Sequence, residues 1–184
     1  MGSRYGIFKG LKFLILAGIC LTLGLAACKP QETSLPFETL AHGNARLIDS
    51  QGMAYGSSYD KMDLLVATNL TETRQIEMIL SPRNPSLHFK EIADVNYEEY
   101  LVVVAFFGPR PYGDSAITIE RIIQTGDTID VFVSTVEPTE GTRVIVAPIH
   151  AVKIKRADLP VKGELAFNLL KDDRIVLTRK HFVP

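Results

Sequence analysis

The 184-residue chain contains no tryptophan and only two cysteines, Cys20 and Cys28. It also lacks a surplus of charge of either sign, because 20 lysine and arginine residues oppose 21 aspartate and glutamate residues. Proteins that bind nucleic acids usually carry a basic surface, so this balance argues against a nucleic-acid partner. Apolar runs are short as well. Those at residues 13–25 and 101–107 are shorter than the roughly 20 residues that a membrane-spanning helix needs.

The N-terminus has the order of an export signal. Three basic residues precede the apolar run 13–25, namely Arg4, Lys9 and Lys12, as is typical of a secretory signal peptide. The run ends with Leu25-Ala26-Ala27-Cys28, which resembles the lipobox of bacterial lipoproteins. The resemblance implies cleavage before Cys28, a diacylglyceryl group on its sulfur and acylation of its amine. An ordinary secretory signal and an uncleaved helical anchor are the alternatives.

This N-terminus divides the chain into three parts. We expect a signal peptide over residues 1–27, a flexible tether over 28–36 and one domain over 37–184. The tether prediction rests on the polar residues between Pro30 and Pro36. Acyl chains, at about 0.8 kcal/mol per buried methylene, would anchor the protein to the membrane. The expected location is the cell envelope, at the periplasmic or outer membrane surface after Sec export.

The expected lipid modification also bears on the stability of the fold. Cys20 would leave with the signal peptide, and Cys28 would be consumed by the lipid. We therefore expect no disulfide within the domain, although export leads to an oxidising compartment. The apolar core alone must then stabilise the fold.

Alternation of apolar and polar residues predicts a β-rich domain. Residues 117–123 and 129–133 alternate on either side of the turn 124–127, which predicts a hairpin. A strand over 144–147 should end at Pro148, because proline cannot donate to a strand ladder. Further strands are predicted over 101–107, over 150–154 and in a C-terminal hairpin within 161–184. Weaker strand predictions fall on residues 46–49 and 63–67.

One helix is predicted after Asn69. Asn69 can cap it, Glu72 fits a capping box, and Ile76 and Ile79 share an apolar face with Leu80. The helix should end at Ser81-Pro82, and a short turn is expected at residues 96–100. The predicted fold class is therefore α+β and β-rich, with a largely antiparallel twisted or barrel-like sheet and one or two short helices.

The sequence offers little that resembles catalytic or metal-binding chemistry. Its four histidines, His42, His88, His150 and His181, show no metal-ligand spacing, and there is no HExxH or paired-cysteine motif. We predict no metal site, no cofactor and no enzymatic activity. His150, on the face of a predicted strand, is expected to be a hydrogen-bonded structural residue.

The loop at residues 108–114 is the best candidate for a binding site. Pro109 and Pro111 stiffen it, while Gly113 permits a tight turn. Tyrosine and arginine are common in the most important positions of protein interfaces, and a rigid loop loses little entropy on binding. The predicted partner-binding residues are Arg110, Tyr112, Gly113 and Asp114. The alternative is a plain connection whose prolines prevent edge pairing.

Several segments together resemble the C-terminal domain family of PrcB, a lipoprotein subunit of a bacterial surface protease complex. Residues 37–43 (Phe-Glu-Thr-Leu-Ala-His-Gly) are similar to the opening strand of that family. Residues 100–111 are similar to its apolar strand and the turn that follows, with Ile117-Thr118-Ile119 in register behind them. Residues 147–154 are similar to a later strand. The resemblance covers about residues 37–160, so the terminal hairpin 161–184 would be an addition to the family's domain.

The resemblance implies an accessory role in which the domain binds, stabilises or helps to mature a surface protease or another envelope complex. The chain departs from the family at Tyr112-Gly113-Asp114-Ser115, where the family has Thr-Gly-Gly-Tyr. Contacts made by the family's loop are therefore not transferred to this chain. Two other functions stay open at this point: a protease-inhibitor-like binding module, and a structural or small-ligand carrier lipoprotein of the envelope.

Overall fold

The computed structural model describes residues 31–45, 61–80 and 87–184. The described part contains ten strands and two helices. The strands are β1 (Glu32–Ser34), β2 (Phe37–Ala45), β3 (Asp63–Ala67), β4 (Tyr100–Phe106), β5 (Arg110–Tyr112), β6 (Ala116–Thr125), β7 (Thr128–Val136), β8 (Arg143–Lys155), β9 (Gly163–Lys171) and β10 (Arg174–Val183), and the helices are α1 (Leu70–Leu80) and α2 (Leu87–Ala93). Neither helix is long and apolar enough to cross a membrane.

The strands form two sheets. Sheet I has the order β1-β6-β7-β9-β10, and sheet II has the order β2-β8-β4-β3, with β5 paired to the first part of β8. Within the described residues, every strand pair is antiparallel except β7 with β9. The predicted α+β, β-rich class is confirmed, and the two sheets do not close into a barrel.

Strand β4 shows why the central apolar run of the sequence is unbroken. Leu101 and Val103 pack into the core between the two sheets. Val102 and Val104 point the other way and pack with Ile76 of α1 and other apolar residues. All four valine and leucine side chains are fully buried. Because helices cover one face of sheet II and sheet I covers the other, both faces of β4 must be apolar.

Helix α1 begins with the predicted cap. The Asn69 side-chain oxygen accepts a hydrogen bond from the Glu72 backbone N–H at 2.9 Å. The Glu72 carboxylate reaches back one residue farther than a standard capping box and accepts from the backbone N–H of Thr68 at 2.6 Å. Ile76 is buried against sheet II as expected. Helix α2 was not predicted, whereas the expected turn at 96–100 is present, with Glu99 N–H donating to the Asn96 carbonyl.

The prediction that Pro148 ends a strand is wrong. Strand β8 runs from Arg143 to Lys155 through Pro148 without interruption. The Pro148 carbonyl accepts from the Phe107 N–H at 3.0 Å. The nitrogen and the carbonyl of a strand residue point toward the same adjacent strand. The N–H that Pro148 lacks would therefore face the end of β4, where the chain crosses to β5. The proline therefore removes only the bond that its nitrogen would donate to the Phe107 carbonyl, at the point where the ladder between β4 and β8 ends after Phe106 and Ile149.

The flexible tether predicted over residues 28–36 is too long. Residues Glu32–Ser34 form β1 and pair with β6 at the edge of sheet I. Leu35 is buried in the core, and its N–H donates to the Ile122 carbonyl at 2.9 Å. The alternation of this segment is too short to mark a strand, so only its pairing with β6 reveals it. The expected tether is therefore no longer than residues 28–31.

The C-terminal hairpin is an integral part of sheet I. Strand β9 lies between β7 and β10, and Leu165, Phe167 and Leu169 are fully buried. Asp172 and Asp173 connect the strands with φ values of 52° and 57°, the left-handed geometry of a two-residue hairpin turn. The strand predicted at residues 46–49 lies outside the described residues, and the one at 63–67 is present as β3.

An ion pair links the outer edges of the two sheets. Arg179 of β10 donates two hydrogen bonds to one carboxylate oxygen of Asp63 of β3, at 2.8 and 3.0 Å, and a third to the other oxygen at 2.7 Å. The Asp63 side chain is almost completely buried. A forked guanidinium–carboxylate contact of this kind fixes both distance and orientation, so it holds β3 and β10 together at that side of the molecule.

Candidate functional site

The loop proposed for partner binding is held firmly by its neighbours. Its middle forms β5, in which Arg110 pairs with Val146 and Tyr112 pairs with Arg143 of β8. After β5, the Gly113 N–H donates to the Thr142 carbonyl at 3.2 Å. Gly108 adopts a φ of 82° at the exit from β4, a conformation that strongly favours glycine. The loop is thus a paired segment and not a free connection.

Arg110 is occupied by contacts inside the domain. Its Nε lies 2.9 Å from a carboxylate oxygen of Glu137, and its side chain is only 19% exposed. The guanidinium carbon lies 3.9 Å from the centre of the Phe107 ring, which is a cation–π contact. The same group also donates to the Pro109 carbonyl at 2.9 Å. Arg110 therefore shapes the loop, and most of its predicted contact surface is already used.

The other three predicted residues lie at the surface. Tyr112 and Gly113 are partly exposed, and Asp114 is exposed. A Cβ atom at Gly141 would lie 3.7 Å from a carboxylate oxygen of Asp114, so the carboxylate sits beside the turn that joins β7 to β8. Among the described residues, no ion pair holds Asp114. Its carboxylate is thus available to a binding partner at the end of the loop.

A cleft of about 220 Å³ opens next to this loop. Residues 113–117 line one side, and His42, Gly43 and Asn44 of β2 line the other. The structure thus brings Gly113 and Asp114 together with three residues that are about 70 positions earlier in the sequence. Sequence reasoning missed His42, Asn44 and Ser115 as site residues. Only the pairing of β2 with β8 could have placed His42 and Asn44 at this end of sheet II.

Two histidines, one of which lines the cleft, form a cross-strand pair. His42 of β2 is opposite His150 of β8, and their ring centres are 4.6 Å apart. His42 Nε2 donates to the Ile117 carbonyl at 3.1 Å. His150 Nδ1 accepts from the Ile119 N–H at 2.7 Å. Both rings therefore connect sheet II to the backbone of β6 in sheet I.

These bonds give hydrogen-bond partners to backbone groups of β6 at an open edge of sheet I. Strand β1 pairs with β6 only at residues 123–125, and β7 occupies the opposite edge of β6. At residues 117–119 the two histidine side chains take the place of a neighbouring strand. Buried backbone groups need partners, and open strand edges invite unwanted pairing. The histidine pair meets both requirements next to the cleft.

The protonation state of His150 follows from its contacts. Because Nδ1 accepts from a backbone N–H, the neutral ring carries its proton on Nε2, which lies 3.0 Å from the Thr39 hydroxyl oxygen. Burial, and secondarily the neighbouring His42, lower the pKa of His150 from 6.5 to about 4. His150 is thus neutral at pH 7 with both nitrogens engaged. The expectation that it is a hydrogen-bonded structural residue is confirmed.

Cys28, the predicted lipidation site, lies outside the described residues. Across residues 31–45, 61–80 and 87–184, no group of three or more histidine, cysteine, aspartate or glutamate side chains is arranged to hold a metal ion.

Comparison with known proteins finds no match for this chain among family models, curated proteins or solved structures.

Proposed function

We propose that this protein is a bacterial envelope lipoprotein whose domain binds another protein and performs no reaction of its own. The observation that carries the proposal is the loop 108–114, which is fixed before any partner arrives. Pairing with β8 and the internal contacts of Arg110 set its shape, while Tyr112 and Asp114 stay accessible. A preordered surface loses little conformational entropy on binding, and a tyrosine at its centre is a typical anchor of a protein interface.

The hydrogen bonds of the histidine pair also support a binding function rather than catalysis. A general base must reach a substrate proton with an unprotonated nitrogen. His150 instead uses Nδ1 to accept from the Ile119 N–H, and its Nε2 meets Thr39. His42 directs its Nε2 to the Ile117 carbonyl. His150 therefore has no nitrogen left for a substrate proton, and both rings link the two sheets.

The membrane part of the proposal rests on Leu25-Ala26-Ala27-Cys28. Lipid on Cys28 would keep the domain at the surface of the periplasmic or outer membrane, where its partners are other envelope proteins. The segments similar to the PrcB C-terminal domain family favour a surface protease or another envelope complex as the partner. Cofactors and nucleic acids have no part in this proposal.

Metabolic labelling tests the anchor. Cells that express the chain are grown with an alkyne analogue of palmitate, and we expect the wild-type protein to be labelled. Cys28→Ala should abolish the label because it removes the acceptor sulfur. Cys20→Ala is the matched control, since it removes the chain's other cysteine from the apolar run and should leave labelling unchanged. Equal labelling of the Cys28→Ala protein would refute lipidation at this position.

Site-specific photocrosslinking tests the binding surface. A benzoylphenylalanine is placed at Tyr112 in the full-length lipidated protein, and intact cells are irradiated. We expect one discrete crosslinked protein, identified by mass spectrometry. The control position is Phe182, which is 65% exposed on β10 and belongs to a different sheet. Absence of an adduct at position 112, or the same adducts at both positions, would contradict partner binding through this loop.

A further inference from the structure

The side chains that line the cleft carry one fixed charge, the Asp114 carboxylate. His42 contributes an imidazole whose Nε2 is bonded to the Ile117 carbonyl, and Asn44 contributes an amide that can accept or donate. None of the eight lining residues is a lysine or an arginine. The cleft is therefore suited to a ligand that carries a positive charge.

Ser115 supplies a second and independent indication of a ligand. This residue lines the cleft and is only 3% exposed. Its hydroxyl oxygen finds no hydrogen-bond partner among the described residues. A buried polar atom without a partner is destabilising, and such groups are rare in native proteins. The oxygen itself is covered from solvent, so the side chain must rotate about its Cα–Cβ bond to meet a ligand in the cleft, which would then give the hydroxyl the partner that it lacks.

The charges around Asp114 are of both signs, since the exposed Arg143 of β8 is paired with Tyr112 of β5. Arg110, at the other end of the same loop, is paired with Glu137 at 2.9 Å. Glu140 lies in the adjacent turn beside Gly141, whose backbone lies next to Asp114. A cavity of about 220 Å³ is smaller than the roughly 300–1,000 Å³ of sites for drug-sized ligands. It therefore fits a single side chain or a small amine.

The geometry points to a binding site for a cationic nitrogen group, a guanidinium or an alkylammonium, which enters the cleft and pairs with Asp114. This inference rests on the proposed function in one respect: it takes the source of the group to be an arginine or lysine side chain of the partner protein. A free small amine offers the same chemistry, so the experiment must separate the two sources.

Nuclear magnetic resonance of the full-length lipidated protein in detergent micelles can test the site. Nα-acetylarginine amide is titrated, and we expect amide shifts at residues 113–117 that saturate with a Kd on the order of 10 mM, because an exposed ion pair contributes little and contact of the aliphatic stem with the cleft must supply the rest. Nα-acetylnorleucine amide, which is uncharged, should cause no such shifts. Shifts of equal size with both compounds, or with neither, would overturn the inference.

Two variants locate the site. Asp114→Asn should weaken arginine amide binding by about fivefold, the upper range for an exposed ion pair. Asp127→Asn is the matched control, because it removes the same charge from the opposite end of the β6–β7 hairpin and should not change the Kd. Unchanged signals from β9 and β10 would verify that each variant is folded. Equal affinity of the Asp114→Asn protein and the wild type would refute the assignment.

A third comparison distinguishes a side chain of a partner protein from a free small amine. It also lets this inference and the proposed function fail independently. A blocked Gly-Arg-Gly tripeptide that binds more tightly than propylguanidinium indicates a side chain within a partner protein. Equal affinities indicate a free amine and still support the cationic site. If a crosslinked partner is found at position 112 but no cation binds, this inference fails while the proposed function stands. If cations bind but no partner is crosslinked at position 112, the cationic site stands while the proposed function fails.

Discussion

At the scale of single residues, His150 shows how a histidine can serve as a structural element. Its ring accepts from the Ile119 N–H and lies against Thr39 and His42. Only the neutral ring can accept through Nδ1, because the charged ring has donors at both nitrogens. This contact between the two sheets therefore depends on a group that acid can protonate.

This dependence gives a pH prediction. The pKa of His150 is about 4 in the folded protein, below its ordinary value of about 6.5 in an unfolded chain. Between these values the unfolded state binds the extra proton, so the stability from His150 is complete above pH 6.5 and is lost as the pH falls toward 4. After allowance for screening by water, we expect a loss of about 2 kcal/mol between pH 7 and pH 4.

Urea unfolding at several pH values can measure this loss. His150→Gln removes the titrating ring and keeps a side chain that can both accept and donate hydrogen bonds. We expect its unfolding free energy to fall by about 2 kcal/mol less than that of the wild type over the same pH range. Parallel pH profiles for the two proteins would show that His150 does not contribute to acid sensitivity.

At the scale of elements, local patterns predicted some parts of the fold and could not predict others. The β6–β7 hairpin has both a clear alternation and the Gly126-Asp127 turn, so it is visible in the sequence. Helix α1 is visible because its cap and its apolar face are local features. Pro148 misled the prediction because the effect of a missing N–H depends on which neighbour it faces, and that neighbour is about 40 residues away.

In the candidate site, too, some residues could be predicted from local patterns and others could not. Gly113 and Asp114 were predicted because turn chemistry can be read from adjacent residues. His42 and Asn44 complete the cleft only because β2 pairs with β8 in a particular register. A one-residue shift of that register would turn His42 away from sheet I. Such long-range pairing leaves no local pattern, so the side of the cleft formed by β2 could not have been identified from the sequence.

At the scale of the whole molecule, the short N-terminal link restricts how an anchored domain could sit on a membrane. Strand β1 begins at Glu32, so the path from Cys28 to β1 spans at most about 14 Å. Glu32 pairs with Thr125 at one end of β6, while Ala116 at the other end lines the cleft. Nine residues of extended strand separate these ends by about 30 Å. Lipid on Cys28 would thus hold the Thr125 end near the bilayer and the cleft away from it.

Fluorescence quenching can test this orientation. A lipidated chain that has lost its signal peptide contains no free thiol, so one introduced cysteine can be labelled selectively. We compare Asp127→Cys, beside the Thr125 end, with Tyr112→Cys, beside the cleft, in liposomes that carry a quencher on the lipid headgroup. We expect strong quenching at position 127 and little at position 112, because the two positions lie at opposite ends of β6. Liposomes without the quencher serve as the control. Equal quenching at both positions, or stronger quenching at position 112, would contradict a cleft that faces away from the membrane toward a partner.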